Sequence, residues 1–362
     1  MNVFTTKSPV IITCHKRMVP YLEQEVKALG FTIEESFMAN DADSIYKHLV
    51  SYSWEKIISA EGYFSITSNV NNPTINNNLF ANLRVKDAIV DRFKEKLNTR
   101  PQTGAELIGT VIHLFWKNEE AEIFIDTSGD SLARHGYRKI PGLAPMLEAL
   151  AAATIYATNW NKVSPFVNPM CGSGTLAIEA ALIATNRMPG LYRTNYAFMH
   201  VEGYDKAVYE NEKQLLQKQI IKDSTIQIIA SDYSDRAIEN AKKNAIAAGV
   251  EKLIQFSVCD FELTKVPENE AGIMMINPEY GERMGEETEL EETYGRIGDF
   301  MKQKCGGYFG YVFTGNLDLA KKIGLKAKRR IEFYNSTIDC RLLEYELYNG
   351  TRRVAKEVET VE

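Results

Sequence analysis

The sequence predicts an α/β chain: a C-terminal doubly wound parallel sheet with an antiparallel edge, preceded by a smaller α+β region. Three observations carry this. From Pro165 onward, short apolar runs ending in a polar residue alternate with helical patterns, the rhythm of strand–helix units in a parallel sheet. The last stretch, Tyr308–Thr314, Lys328–Asn335 and Ile338–Tyr348, is strand-rich and suits an antiparallel edge. Before Pro165, β-branched runs mix with amphipathic helical patterns. The 362 residues are 44 % hydrophobic and 25 % charged, which excludes a disordered chain, a collagen-like repeat and a small disulfide scaffold. The length suits two or three domains, each with its own core.

In chain order, Pro9–Cys14 reads as a strand and Val19–Leu29 as a helix closed by Gly30. Asp41–Leu49 is a second helix, and Trp54–Thr67 holds two short strands. Asn69–Asn78 contains six Asn and one Pro, which predicts a loop and a boundary between subdomains. Asp87–Leu97 is an amphipathic helix with Ile89, Val90, Phe93 and Leu97 on one side. Strands follow at Glu106–Trp116 and Ala121–Asp126, with a turn at Lys117–Glu120. The basic segment Leu132–Pro141 leads into a helix at Ala144–Ala157. Then come an apolar strand at Pro165–Asn168, a helix at Thr175–Ala184 and a polar, Tyr-rich helical excursion at Thr185–Ser224. Strands at Ile226–Ala230, Ile254–Val258 and Ala271–Ile276 complete the parallel set, with a helix at Ser234–Ala248. The implied division is 1–68, 69–140 and 141–362.

Several function classes find no support. The five cysteines are odd in number and none forms C-x-x-C; the five histidines form no HExxH, so no metal site is expected. The longest apolar stretch, Leu143–Ala157, is short and interrupted by Glu148, so no membrane span is expected and a cytoplasmic location is the default. Lys plus Arg is 42 against 48 Asp plus Glu, a net charge of −6. That argues against a polycationic nucleic-acid coat but leaves room for local basic patches.

Ligands in a doubly wound sheet lie at the C-terminal strand ends, so the polar residues there are the informative ones. The first end is Asn168-Pro169-Met170-Cys171-Gly172-Ser173-Gly174-Thr175. Its two glycines allow a tight turn and close approach of backbone to ligand. The second end carries Asp232, placed to accept from ribose hydroxyls, and the third Asp260, placed to accept from an adenine amine. The fourth is Asn277-Pro278-Glu279-Tyr280. Any one of these has a plain reading, since a lone G-x-G is often only a turn and an Asp after a strand is commonly a helix cap. Four in order on successive strand ends point to a nucleoside-bearing cofactor. The third glycine of a pyrophosphate-binding loop is missing, which suits adenosine linked to an uncharged or cationic group.

NPMCGSGT and NPEYGER resemble the first and fourth motifs of class I S-adenosylmethionine-dependent methyltransferases acting on exocyclic amines. DAIVDRF with IFIDTSGDSLARHGYR resembles a THUMP domain and its exit, and PGLAPMLEALAAA resembles the helix leading into the catalytic domain. From ITCHKRMVPYLEQEVKALGF to IDCRLLEYELYNG the chain is similar to the RlmL-type, THUMP-containing guanine-N2 methyltransferases of 23S ribosomal RNA. The resemblance implies a ferredoxin-like N-terminal subdomain (1–68), a THUMP-like RNA-binding region (69–140) and a Rossmann-like methyltransferase domain (141–362). It implies S-adenosylmethionine as cofactor and RNA, as 23S rRNA or its precursor particle, as partner, with no membrane or metal; it leaves the oligomeric state open. Asn168 to Thr175 would wrap the methionine part, with Asn168 standing where many members have Asp. Asp232 with Tyr233 would hold the ribose, Asp260 with Phe261 the adenine, and Glu148 and Pro145 would flank the pocket. The Asn277 side-chain oxygen and the Pro278 carbonyl would accept from the target amine, and Tyr280 would stack on the flipped base.

The family tetrad is usually N-P-P-Y, and here Glu279 takes the third place. Three readings follow: the side chain points outward and leaves the acceptor pair intact, it assists proton removal, or it marks weakened activity. The basic runs suggest where RNA lies. They are Arg84 and Lys86 with the helix that follows; Arg134, His135, Arg138 and Lys139 with Tyr137 among them; and Lys321 to Arg330. The second has no acid between Ser131 and Glu148, whereas the first has acids at helical spacing and reads equally as a solvated face. Glu279–Glu292 holds seven Glu and reads as an acidic loop beside the tetrad. Alternatives are a tRNA guanine-N2 or an N6-adenine methyltransferase on the same tetrad, and a non-catalytic RNA-binding or ribosome-assembly factor.

Overall fold

The structure is a computed structural model that describes residues 35–140, 146–268, 270–280 and 287–349. The strand and helix expected at Pro9–Cys14 and Val19–Leu29, Pro145, and the part of the acidic segment at 281–286 lie outside the described residues. Those described fall into two compact units, 35–134 with 193–215, and 135–192 with 216–349.

In the first unit, five strands form one sheet in the order β1-β5-β4-β2-β3: β1 (Glu35–Met38), β2 (Tyr63–Asn71), β3 (Gln102–Thr103), β4 (Thr110–Lys117) and β5 (Glu120–Asp126). Helix α1 (Ala42–Leu49) starts where Asp41 accepts from Ser44 N–H at 2.7 Å, and α2 spans Asn78–Leu97. Ile45, Leu49, Trp54, Phe64, Val85, Ile89, Phe93, Ile112, Leu114 and Trp116 close the core between helices and sheet. Of the apolar side predicted for the helix ending at Leu97, Ile89, Val90 and Phe93 enter this core, while Leu97 is exposed in the last turn.

Three expectations change here. Trp54–Thr67, expected to hold two short strands, holds a 3-10 turn at Trp54–Lys56 and the first part of β2. Residues 69–71 are strand, because Asn69, Val70 and Asn71 pair with Phe115, Trp116 and Lys117; the ladder overrides the turn preference of Asn. The expected boundary at 68/69 thus cuts through β2, and strands from either side share one sheet. The helix expected from Asp87 begins at Asn78, capped by Asn77, whose side chain accepts from Leu79 N–H at 2.9 Å. The asparagines act as strand end, turn and cap in succession.

In the second unit, seven strands run in the order β11-β12-β10-β9-β6-β7-β8: β6 (Phe166–Asn168), β7 (Ile228–Asp232), β8 (Ile254–Val258), β9 (Ile273–Ile276), β10 (Phe309–Thr314), β11 (Arg329–Asn335) and β12 (Ile338–Glu346). Strands β6 to β10 are parallel, so Tyr308–Thr314, expected in the antiparallel edge, instead extends the parallel set; the edge is β12, antiparallel to both β10 and β11. Alternate residues feed two cores. Phe166, Ile228, Ile273, Met275, Tyr311 and Phe313 join one; Val167, Ile229, Met274, Ile276 and Val312 join the other. A parallel sheet buried on both faces reads as continuous apolar runs, which is how these strands appear in the sequence. Helices α3 (Glu148–Tyr156), α4 (Thr175–Ala184) and α6 (Asp235–Ala247) contribute to the first core. Helices α7 (Glu287–Lys304) and α8 (Leu317–Lys322) contribute to the second. Helix α5 (Lys206–Lys218) lies in the Tyr-rich excursion. The C-terminal part of the acidic segment, expected as loop, is the first turns of α7.

Candidate active site

The chain moves from β6 outward to β7 and β8, then returns to the other side of β6 with β9 and β10. The reversal lies between β6 and β9, and in open α/β sheets the ligand crevice sits at such a point, beyond the carboxyl ends of the strands. The two motifs singled out in the sequence leave the sheet at that point, Asn168–Thr175 from β6 and Asn277–Tyr280 from β9.

The first loop turns through three left-handed residues, Met170 (φ 52°), Gly172 (φ 55°) and Gly174 (φ 82°). At Gly174 the space is taken: a Cβ there would lie 2.9 Å from Ala241 Cβ, so close packing on α6 requires glycine. At Gly172 the space is open, with nothing within 4 Å of where a Cβ would project. One glycine serves packing and the other leaves room. Asp232, 7 % exposed at the end of β7, accepts from Gly172 N–H at 3.0 Å and from Ser234 N–H at 2.9 Å. Its carboxylate thus ties the two strand-end loops together and keeps lone pairs for further donors. Tyr233 beside it is 77 % exposed.

Asn168 is 1 % exposed; its amide nitrogen donates to Met275 O at 2.9 Å, bridging β6 to β9. An aspartate could not make that bond. The Asn168 side-chain oxygen is buried without a partner, and so is one oxygen of Glu148, which is 3 % exposed. Buried polar atoms are usually satisfied, and these two oxygens could accept from the donors of a ligand bound beside the loop. Pro169, Cys171, Ser173 and Thr175 are buried in the loop, and burial holds the Cys171 thiol well above its usual range, which suits a packing role.

Asp260 is differently placed. Burial pushes its carboxyl up, but Arg296 of α7, at 2.8 Å, and Glu262 N–H, at 3.0 Å, outweigh this and hold it below the usual range. Arg296 also bonds Glu262 at 2.6 Å and lies over the Phe261 ring. No sequence signal pointed to Arg296, because its partners lie more than 30 residues away.

In the tetrad, Pro278 is buried, Asn277 and Tyr280 are half-buried, and Glu279 is exposed. The Tyr280 hydroxyl donates to the Asn277 side-chain oxygen at 2.8 Å. Burial raises the Tyr280 hydroxyl well above its usual pKa, so it stays protonated as a donor. The turn's backbone is held from behind: Tyr294 donates to Glu279 O and the Asn316 amide nitrogen to Tyr280 O, both at 3.2 Å. The sequence reading missed both; the only trace was the Asn-x-Asp cap pattern at Asn316.

The basic runs need correction. Tyr137 is 1 % exposed and donates to Glu179 at 2.7 Å, so its ring is core and not a stacking surface. His135 lies 2.8 Å from the same carboxylate. Arg138 is largely buried, donating to Met146 O and Thr175 and lying 3.6 Å from Glu148. This run looked free because its acids, Glu148 and Glu179, are distant in sequence. Arg134 and Lys139 remain exposed. Arg84 pairs with Asp43 of α1 and Lys86 with the adjacent Asp87, so the first cluster is ion-paired, although only Lys94–Asp91 follows the helical spacing. In the third, Lys321, Lys322, Lys328 and Arg329 all have carboxylate partners. Among the described residues no group of three or more His, Cys, Asp and Glu is placed to hold a metal, and no helix is long and apolar enough to cross a membrane.

Sheet order and the two strand-end motifs define a methyltransferase-type α/β domain, preceded in the chain by a separate α+β unit. Residues 135–344 match the RMKL-like methyltransferase domain and residues 39–126 the THUMP domain, and the chain belongs to the THUMP-containing, RMKL-like methyltransferase family. It is 37 % identical over 320 residues to a ribosomal RNA large subunit methyltransferase K/L of Syntrophotalea carbinolica, covering 86 % of this chain but 45 % of that protein. The chain therefore spans less than half the length of that curated relative. Among solved structures, a putative methyltransferase complexed with SAH is 26 % identical with a TM-score of 0.77, covering 88 % of this chain and 83 % of that one. A predicted N6-adenine-specific DNA methylase from Listeria monocytogenes is 30 % identical with a TM-score of 0.76, covering 86 % and 80 %.

Proposed function

We propose that this protein transfers a methyl group from S-adenosylmethionine to the exocyclic N2 amine of a guanosine in large-subunit ribosomal RNA. The observation that carries this reading is the Asn277–Tyr280 turn leaving β9 directly beside the glycine loop of β6, at the point where strand order reverses. The relatives' descriptions favour RNA through the THUMP domain and the K/L relative, and the orphaned Asn168 and Glu148 oxygens suit a cationic methionine amine.

When bound, S-adenosylmethionine supplies an electrophilic methyl on a sulfonium. In this reading Asn168, the open face over Gly172 and Glu148 take its methionine part. Asp232 takes the ribose hydroxyls. The Asn277 side-chain oxygen, with a lone pair left beside its bond from Tyr280, and the Pro278 carbonyl accept from the two amine hydrogens of a flipped guanine. That fixes the amine nitrogen for in-line attack, where proximity and alignment supply most of the rate. As the N–C bond forms the S–C bond breaks, its electron pair staying on sulfur as a neutral thioether, and the displaced proton of the amine passes to water. Glu279 is exposed, and this supports the reading in which it points outward with the acceptor pair intact.

The test is incubation of purified protein with S-adenosylmethionine and large-subunit rRNA lacking the modification, followed by nucleoside analysis. N2-methylguanosine from wild type, lost in Asn277→Ala and kept in Glu279→Ala, is expected. N6-methyladenosine would instead support the reading drawn from the DNA-methylase neighbour, and loss of N2-methylguanosine in Glu279→Ala would return that residue to proton removal.

A further inference from the structure

We infer that Asn316 is a positioning residue for methyl transfer: by holding the Tyr280 carbonyl it keeps the Tyr280 hydroxyl on the Asn277 side-chain oxygen, and so orients the acceptor of the target amine. The inference rests on the role proposed for Asn277.

The support behind the tetrad is one connected set of contacts. The Tyr294 hydroxyl donates to Glu279 O at 3.2 Å and lies 2.9 Å from the buried Thr314 hydroxyl. Thr314 accepts from Asn316 N–H at 3.1 Å and its own hydrogen also reaches Asn316 O at 3.4 Å, so Thr314 and Asn316 hold each other. Asn316 also reaches the next carbonyl directly, its amide nitrogen donating to Tyr280 O at 3.2 Å. Two successive carbonyls of the tetrad are thereby fixed from one residue at the end of β10. The Asn316 side-chain oxygen is independently committed, capping α8 by accepting from Asp318 and Leu319 N–H, each at 3.0 Å.

The consequence is at Asn277. A terminal amide turns about a soft torsion, and a misplaced acceptor would admit the target amine in the wrong pose. The Tyr280 hydroxyl, 2.8 Å away, removes that freedom and leaves the second lone pair of the oxygen free. The Tyr280 ring packs edge-on against Phe313 and the first core, and the bond from Asn316 to the Tyr280 carbonyl adds the backbone restraint that sets where the hydroxyl falls. The tyrosine then has two separable parts, a ring for the base and a hydroxyl for the acceptor.

The division of labour within Asn316 makes the test clean. Asn316→Asp and Asn316→Ser both keep a good helix-capping oxygen and both remove the donor to Tyr280 O. The assays are kcat and KM for RNA, calorimetric Kd for S-adenosylmethionine, thermal unfolding, and the crystal structure of each variant. Expected in both are a kcat lower by ~10- to 100-fold, Kd and KM within about twofold of wild type, an unchanged unfolding temperature, and a Tyr280 hydroxyl no longer within hydrogen-bond reach of Asn277. Retention of that contact, a kcat within about twofold of wild type, or a parallel loss of cofactor affinity and fold stability would overturn the inference. If wild type itself forms no N2-methylguanosine, the proposed function fails, while the Tyr280–Asn277 contact in the variants still decides this one.

Discussion

At the scale of single residues, the two glycines of the β6 loop show why one motif carries two kinds of constraint. Both are left-handed, but only Gly174 abuts another element. Gly174→Ala should cost about 1–3 kcal/mol from strain and contact with Ala241 and lower the unfolding temperature. Gly172→Ala should cost about 1 kcal/mol in strain alone, leave the unfolding temperature within a few degrees of wild type, and weaken S-adenosylmethionine binding at least tenfold by calorimetry. The residues of this loop, with Asp232 and the tetrad, were legible in the sequence because each follows an apolar run at a strand end. What supports them was not. Arg296 finds Asp260, and Asn316 finds Tyr280, across gaps of more than 30 residues, and no local pattern encodes such a meeting.

At the scale of elements, the segment 134–140 shows how a run of basic residues misleads. Charge alone suggested an RNA contact, but the acids that answer it lie on α3 and α4, so His135, Tyr137 and Arg138 form an internal strut. Arg138→Met should leave the Glu148 carboxylate buried and unpaired, costing on the order of 3 kcal/mol. It should weaken S-adenosylmethionine binding more than RNA binding; the reverse would restore the surface reading. Thr175–Ala184 and Ile254–Val258 match their sequence-predicted limits, the helix because it is apolar almost all round and buried, the strand because β-branched residues bound it at both ends. The Asn-rich stretch did not, because Asn serves turn, strand end and cap alike. In β4, His113 has its pKa held down by burial, which outweighs the attraction of Asp126. A histidine depressed in the folded state binds fewer protons than in the unfolded chain. Its stabilising contribution is therefore complete above the unfolded value of about 6.5 and is lost as pH falls through the folded value. Hydrogen exchange at β4 amides should show less protection against opening at pH 5 than at pH 7, beyond the intrinsic rate change. His113→Gln should flatten the difference.

At the scale of the whole molecule, a net charge of −6 accompanies a THUMP domain and a methyltransferase domain, and the described basic clusters are largely ion-paired. If the proposed reaction holds, so few free cations among the described residues predict a shallow dependence of RNA binding on salt, and a steep log–log slope would contradict it. The succession of strand–helix units was readable from the sequence, while the spatial order of the strands, with its reversal between β6 and β9, is a tertiary fact; it is what brings the β6 and β9 motifs together. The most direct measurement of the account is a map of N2-methylguanosine in ribosomal and transfer RNA from a strain deleted for this protein, complemented with wild type or with Asn277→Ala. Loss of one N2-methylguanosine from large-subunit rRNA, restored by wild type and not by the variant, is the predicted result. Loss confined to transfer RNA, or a complete map in the deletion strain, would contradict it.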